Sequence, residues 1–153
     1  MTRSAAVEQP RSRRCSTPPS WFVGAPGNTK LQVLLIDDEI EQLLPLADAL
    51  RRAGMLPTIA TSDEEALFYV RISPPDVVVL DAEMADRSLL VGIRALAAEL
   101  PLVLMISAPT NDPRIAAMLA IAGVACVEKP VHAWRLVELL SDAHRAATTA
   151  NRT

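Results

Sequence analysis

The sequence predicts an α/β domain in which a parallel sheet is covered by helices on both faces. Two observations support this prediction: short apolar runs recur along the chain, and stretches with helical spacing separate them. Strands that are covered on both faces are apolar at successive positions. Strands that alternate with helices form parallel sheets, because the crossover connections are right-handed. The 153 residues, half of them apolar, suffice for one compact domain and are too few for a two-domain enzyme.

Five strands are predicted, each of four to six residues and rich in Val, Ile and Leu. Three helices between or after them carry clear signals. An apolar stripe predicts a first helix that ends at Gly54, a capping box starts the second, and a further stripe predicts the last. The strands are 31–36, 57–61, 76–80, 102–106 and 124–127, the box is Ser62 with Glu65, and the last stripe is Trp134, Val137 and Leu140.

The first 29 residues differ in kind from the rest of the chain. They contain four prolines and no apolar periodicity, and residues 1–30 carry a net charge of +4 against −7 for residues 31–153. Such a segment cannot bury enough surface to offset its ordering entropy, so residues 1–29 are predicted to be a disordered basic tail. Arg11, Arg13 and Arg14 could instead form a patch for an acidic partner or nucleic acid, but without a groove-binding motif we expect no direct nucleic-acid binding.

No segment has the features of a membrane span or of a secretory signal. The longest charge-free internal stretches, 100–111 and 115–127, fall well short of a bilayer span, and the first residues lack an apolar core. Cys15 and Cys126 form neither a disulfide framework nor a metal-ligand spacing. We therefore expect a cytoplasmic protein that does not interact with membranes.

Charged and polar residues follow four of the predicted strands. Asp37, Asp38 and Glu39 follow the first strand, Asp81 the third, Ser107 the fourth and Lys129 the fifth. The carboxyl ends of parallel strands lie at one edge of the sheet, where ligands of open α/β sheets bind. These side chains are therefore expected to converge. Taken singly, each could equally be a turn or cap residue.

The converging set predicts a magnesium-dependent phosphoryl site. Asp37, Asp38 and Asp81 repel one another unless a cation neutralises them, and Mg²⁺ prefers carboxylate and phosphate oxygens. Asp81 stands alone at the end of a central strand and is the candidate nucleophile for an aspartyl phosphate. Ser107 and Lys129 could contact phosphoryl oxygens by a hydrogen bond and a charge.

The sequence resembles the receiver domains of bacterial two-component response regulators over roughly residues 30–147. The resemblance is carried by VLLIDDE at the first strand, SDEEAL at the second helix, PDVVVLDAEM around Asp81, MISA at the fourth strand, and VACVE followed by Lys129 and Pro130. The spacing also fits, with 44 residues from Asp37 to Asp81 and 22 from Ser107 to Lys129.

The resemblance implies a doubly wound, five-stranded, CheY-like sheet of order 2-1-3-4-5. It implies that Asp81 accepts a phosphoryl group from a sensor histidine kinase or a histidine phosphotransfer protein. Asp37, Asp38, Asp81 and the backbone carbonyl of Glu83 would hold Mg²⁺, and Ser107 and Lys129 would contact the phosphoryl group. The peptide bond before Pro130 is expected to be cis.

Three positions depart from the receiver pattern. Receivers commonly carry an aromatic switch residue three positions before the lysine, and Cys126 occupies that position. Ala85 replaces a common proline, and the glycine expected shortly afterwards is absent from 86–89. Glu83 could slow or speed the loss of the phosphoryl group, because a nearby carboxylate can position or repel water.

The favoured function is a receiver that signals through its fourth helix, fifth strand and fifth helix. This surface could contact an unknown downstream protein or form a homodimer. Residues 148–153 are expected to be a short tail with no output domain behind it. The protein is expected not to be an enzyme beyond promoting its own phosphorylation and dephosphorylation.

Two alternatives remain: a phosphorylation-independent pseudo-receiver, and a phosphohydrolase of the haloacid dehalogenase type. The latter needs its second aspartate two residues after the first, where this chain has Glu39.

Overall fold

The computed structural model describes residues 30–107, 111–121 and 123–150. The predicted tail at 1–29 lies outside the described residues, as do residues 151–153. The elements are β1 (Gln32–Ile36), α1 (Ile40–Arg52), β2 (Leu56–Ala60), α2 (Asp63–Ile72), β3 (Val77–Asp81), α3 (Arg87–Leu96), β4 (Leu102–Ser107), α4 (Pro113–Leu119), β5 (Val124–Lys129) and α5 (Ala133–Ala150). The last helix thus continues beyond residue 147, where the sequence analysis placed the end of the domain.

The five strands form one parallel sheet in the order β2-β1-β3-β4-β5, which confirms the predicted fold. Every residue of the central strand β3 is buried, as its unbroken apolar sequence predicts. The edge strands β2 and β5 are only partly buried. The order reverses beside β1, so the chain leaves β1 and β3 toward opposite sides of a crevice at the carboxyl edge.

Successive residues of β1 divide the core between the two faces of the sheet. Leu34 and Ile36 join the cluster beneath α2, α3 and α4, whereas Val33 and Leu35 join the cluster beneath α1 and α5. This alternation follows from the two-residue period of a strand. Both faces are therefore closed by helices, and the strand ends are the part of the sheet available for chemistry.

Polar caps fix where the second and third helices begin. Ser62 Oγ accepts a hydrogen bond from the Glu65 N–H at 3.2 Å, as the predicted capping box requires. The Glu65 carboxylate, however, accepts from the Thr61 hydroxyl at 2.9 Å and from the Thr61 N–H at 3.4 Å. Asp86 caps α3 by accepting from the Leu89 N–H at 2.8 Å, in the stretch that lacks the expected glycine.

The outer edge of β2 carries a proline without loss of a sheet hydrogen bond. The Leu56 N–H donates to the Leu31 carbonyl at 2.9 Å, so this N–H points toward β1. Because N–H groups alternate in direction along a strand, the nitrogen of Pro57 faces away from β1. Proline is tolerated on edge strands for this reason.

Among the helices of the described ranges, none combines the length and the apolar character that a membrane crossing requires.

A Schellman motif ends α1 at Gly54. The Met55 N–H donates to the Leu50 carbonyl at 2.9 Å, and the Gly54 N–H donates to the Arg51 carbonyl at 3.0 Å. Gly54 has a φ of 86°, in the left-handed region that side chains with a Cβ avoid.

Gly54→Ala should therefore lower the free energy of unfolding by about 1–2 kcal/mol, because the new Cβ strains the left-handed backbone. Gly54→Asn is the matched control, since asparagine tolerates this region better, and it should cost clearly less. Urea denaturation followed by circular dichroism measures both. Equal losses for the two variants would contradict the assignment of the cost to backbone conformation.

Candidate functional site

Four strand ends meet at the carboxyl edge of the sheet, as the sequence analysis predicted. Asp37 directly follows β1, and Asp81, Ser107 and Lys129 are the last residues of β3, β4 and β5. The strand register places Ile36 opposite Leu80, so Asp37 and Asp81 follow a paired position on neighbouring strands. Ser107 pairs directly with Lys129.

Three carboxylates form a compact cluster at this edge. One carboxylate oxygen from each of Asp37, Asp38 and Asp81 lies within 4.8 Å of the other two. Asp37 is 1% exposed and Asp81 is 5% exposed, whereas Asp38 faces solvent. Within the described part of the chain, these two aspartates are the buried charged residues. Since buried carboxylates are rare unless they are paired, the cluster requires compensating positive charge.

Asp37 is fixed by the turn that follows β1. Its Oδ1 accepts a hydrogen bond from the Glu39 N–H at 3.0 Å, and its buried Oδ2 accepts none from the described residues. Burial raises the pKa of the Asp37 carboxyl, and the charge of Asp81 and the neighbouring Asp38 carboxyl raise it further. The Glu39 N–H and the charge of Lys129 lower it, but the raising effects prevail. The site is thus short of positive charge around Asp37.

Lys129 forms an ion pair with Asp81 across the width of β4. Its Nζ donates to Asp81 Oδ1 at 2.8 Å, and the exposed side-chain fractions are 24% for Lys129 and 7% for Asp81. Burial alone would lower the pKa of Lys129, but the hydrogen bond to Asp81 and the charges of Asp81, Asp37 and Glu83 together raise it. Lys129 therefore stays protonated and leaves Asp81 Oδ2 free of this contact.

Ser107 and Glu83 meet at the mouth of the site. The Ser107 hydroxyl donates to Glu83 Oε1 at 3.3 Å, and both residues are exposed. Glu83 lies in a turn after β3 that is closed by a hydrogen bond from the Ala85 N–H to the Asp81 carbonyl at 2.9 Å. The side chain of Glu83 thus adds a fourth carboxylate beside Lys129 and occupies the hydroxyl of Ser107.

The donor set and its charge fit a hard divalent cation. Oxygens on opposite sides of Mg²⁺ are about 4.2 Å apart, close to the spacing of the cluster. The three aspartates and Lys129 leave two net negative charges, which one divalent ion balances. The buried, unpartnered Oδ2 of Asp37 is the kind of atom that such an ion would satisfy.

Two further predicted positions lie on and after β5. The peptide bond between Lys129 and Pro130 is cis. Cys126 is half-buried and packs against the cluster beneath α2, α3 and α4. Burial and then the charge of Glu128 raise the pKa of the Cys126 thiol, so it remains protonated and acts as a small core residue.

Sequence reasoning missed the backbone and side-chain contacts that orient the site. The Glu39 N–H and the Glu83 carboxylate were not predicted as partners of Asp37 and Ser107. Both could have been suspected from position, because each lies two residues after a strand-end aspartate. Their donor and acceptor directions depend on turn geometry that the sequence does not specify.

Comparison with known proteins places this geometry in one family. The model of the response regulator receiver domain matches residues 33–141, which include every strand except the first residue of β1. A protein-glutamate methylesterase/protein-glutamine glutaminase from Hahella chejuensis is 34% identical over 108 residues, covering 67% of this chain and 29% of its own. The transcriptional regulatory protein PrrA from Mycobacterium bovis is 30% identical over 97 residues, covering 61% of this chain and 42% of its own. The chain thus spans well under half the length of these curated relatives.

Solved structures share the fold at lower identity. NtrX from Brucella abortus superposes with a TM-score of 0.73 at 23% identity, covering 81% of this chain and 28% of its own. A CheY-like receiver domain protein from Methanospirillum hungatei gives 0.69 at 18% identity, covering 80% of this chain and 99% of its own. With the strand order, the acidic strand-end cluster and the match over residues 33–141, the chain belongs to the response regulator receiver domain family of two-component systems.

Proposed function

We propose that this receiver accepts a phosphoryl group on Asp81 from a phosphohistidine of a sensor histidine kinase or a histidine phosphotransfer protein, and passes the signal on by protein contact in the cytoplasm. The observation that carries the proposal is the environment of Asp81. One carboxylate oxygen is paired with Lys129 inside an acidic, cation-deficient pocket, and the other is left for chemistry. Relatives named as a methylesterase and a transcriptional regulator are consistent with a receiver that controls an output.

In the proposed transfer, the residues at the end of each of four strands have a separate role. The free oxygen of Asp81 forms an O–P bond while the N–P bond of the phosphohistidine breaks, and the imidazole leaves with the electron pair. Asp37 and Asp38, with Asp81 and the Glu83 carbonyl, would hold Mg²⁺, which would supply positive charge to the phosphoryl group. Lys129 stabilises another phosphoryl oxygen, and Ser107 exchanges Glu83 for the phosphoryl group.

This exchange supplies a switch that needs no aromatic residue at position 126. The Ser107 hydroxyl is held by Glu83 before transfer, and a phosphoryl oxygen offers it a stronger, charged acceptor. Drawing Ser107 inward would move the end of β4, which pairs with β5 through Lys129. The output surface is α4, β5 and α5, which can serve an unknown downstream protein or a second copy of the chain.

The first prediction concerns the acceptor. Incubation with acetyl phosphate and Mg²⁺ should add one phosphoryl group to the wild type and none to Asp81→Asn, as measured by intact mass. Asp76→Asn is the matched control, because Asp76 precedes the same strand at the opposite edge and bonds the Gln32 N–H at 2.8 Å. Labelling that persists in Asp81→Asn would exclude the site, and a wild type that is never labelled would favour the pseudo-receiver.

A second prediction concerns the divalent cation. Without metal, Asp37→Asn should unfold at a higher temperature than the wild type, because the substitution removes one of three clustered negative charges. Mg²⁺ at about 100 times its Kd should stabilise the wild type by about 2.7 kcal/mol and the variant much less. Asp48→Asn, on the exposed face of α1, should respond to Mg²⁺ as the wild type does. The same Mg²⁺ response in Asp37→Asn would refute the ligand assignment.

A third prediction isolates the charge of Glu83. Glu83→Gln keeps an oxygen that can accept from Ser107 but removes a negative charge where an anionic donor must approach. We expect the rate of phosphorylation by acetyl phosphate to increase about threefold. Such an increase corresponds to the loss of less than about 1 kcal/mol of charge repulsion in a solvated pocket. Glu128→Gln, an exposed carboxylate on β5, should leave the rate unchanged. A slower reaction in Glu83→Gln would show that the carboxylate assists transfer instead.

A further inference from the structure

The outward side of α2 presents an apolar stripe that the fold leaves exposed. Phe68 and Ile72 are 56% and 59% exposed, and they are neighbours because they lie four residues apart on the helix. Ala66 and Val70 point into the core, and Leu67 faces α3, where its Cδ2 lies 3.0 Å from the position of a Cβ on Gly92. The stripe is thus on the side of α2 that contacts neither the sheet nor α3.

Acidic and basic residues lie at opposite ends of the same stripe. At 100° per residue, Glu64 and Arg71 fall on the side of α2 that carries Phe68 and Ile72. We define these four residues as the outer face of α2. The acidic first turn of Asp63, Glu64 and Glu65 lies at one end, and Arg71 and Ile72 lie at the other. The outer face therefore has an acidic end and an apolar end with one cation.

The start of the domain lies at the apolar end of this face. The Gln32 N–H donates to Asp76 Oδ2 and the Asp76 N–H donates to the Gln32 carbonyl, both at 2.8 Å. Asp76 follows Ile72 by four residues, and Gln32 follows Lys30 by two. Because α2 connects β2 to β3 and β1 lies between them, the helix crosses over β1. Lys30 and Ile72 thus both lie toward the end of the sheet at which β1 and β3 begin.

The sequence before Lys30 has apolar residues and arginines in the same order as the apolar and acidic ends of the outer face of α2. Reading back from Lys30, the apolar residues Trp21, Phe22 and Val23 come first, and Arg11, Arg13 and Arg14 follow. The nine residues from Lys30 to Trp21 reach up to about 30 Å, and the seven from Trp21 to Arg14 up to about 23 Å. The path from Ile72 to Glu64 along the helix is only about 12 Å. The segment is therefore long enough for its aromatic residues to reach the apolar end of α2 while its arginines reach the acidic end.

Residues 1–29 were predicted to be disordered because they cannot bury enough surface by themselves, but the exposed side chains of α2 offer additional surface. We propose that residues 11–23 of this chain dock along the outer face of α2. Trp21 and Phe22 cover Phe68 and Ile72, where the indole ring can also stack on the Arg71 guanidinium. The three arginines reach the acidic first turn. That turn carries three carboxylates, so the arginines would bring opposite charge to it. This interaction is independent of phosphorylation.

Cys15 allows a direct test, because it adjoins Arg14. In full-length Cys126→Ala protein, a nitroxide on Cys15 should broaden the amide NMR signals of Asp63, Glu64, Glu65 and Ala66 selectively. Adding Phe68→Ser with Ile72→Ser should abolish this broadening. Leu44→Ser, which changes an equally exposed leucine on α1, should preserve it. Uniform weak broadening or none, or broadening centred on another element, would overturn the proposal.

A mixed sample separates this chain's own segment from that of a second copy. Spin-labelled chains without isotope are combined with isotope-labelled chains without nitroxide, and we expect no broadening at α2. Broadening in the mixture would instead assign the outer face of α2 to an intermolecular contact and overturn the intramolecular proposal.

Trp21 fluorescence provides a second measurement that does not need Cys126→Ala. In Trp134→Phe protein, Trp21 should emit at a shorter wavelength than a solvated indole and resist acrylamide quenching. Both properties should be lost in Phe68→Ser with Ile72→Ser and weakened by Glu64→Lys. High salt should also weaken them, because it screens the arginine contacts. A fully quenchable Trp21 in the parent protein would refute the docking.

Discussion

The site depends on one electrostatic constraint: three carboxylates share one end of a parallel sheet, and among the described residues the Lys129 ammonium compensates them. The topology enforces the crowding, because β1 and β3 are neighbours, Asp37 directly follows β1 and Asp81 ends β3. Lys129 reaches Asp81 only because β5 continues to the same edge, and two negative charges remain unbalanced. A pocket built in this way carries more negative than positive charge from the residues that line it.

The sequence predicted the sheet well because its signal was redundant. Each strand was found to within two residues at either end, since buried strands such as β3 are apolar at every position and polar residues mark where they stop. The convergence of Asp37, Asp81, Ser107 and Lys129 followed from topology alone. What could not be predicted was which atoms would touch. The Ser107–Glu83 hydrogen bond and the unpartnered Oδ2 of Asp37 depend on turn dihedrals and rotamers, which a one-dimensional pattern does not encode.

The departures from the family pattern lie outside the carboxylate cluster and include the position of the aromatic switch residue. The acidic cluster and the Lys129–Asp81 pair are present, so the residues on which the proposed transfer depends lie together. Cys126 is a small, protonated core residue, and position 126 has no ring that could rotate between core and surface. In a receiver that works as proposed, the signal would then pass through movements of the backbone of β4 and β5, which pair through Ser107 and Lys129.

Pro57 also has a consequence for how this domain behaves at high concentration. The free side of β2 is a row of backbone groups onto which a strand from another molecule could add, and such addition propagates into fibres. Because the nitrogen of Pro57 points to that side and carries no hydrogen, an incoming strand would meet a missing donor at the second of the five residues of β2. Among the described strands, β2 and β5 form the two edges of the sheet. Pro57 thus disfavours the addition of a further strand at one of these edges.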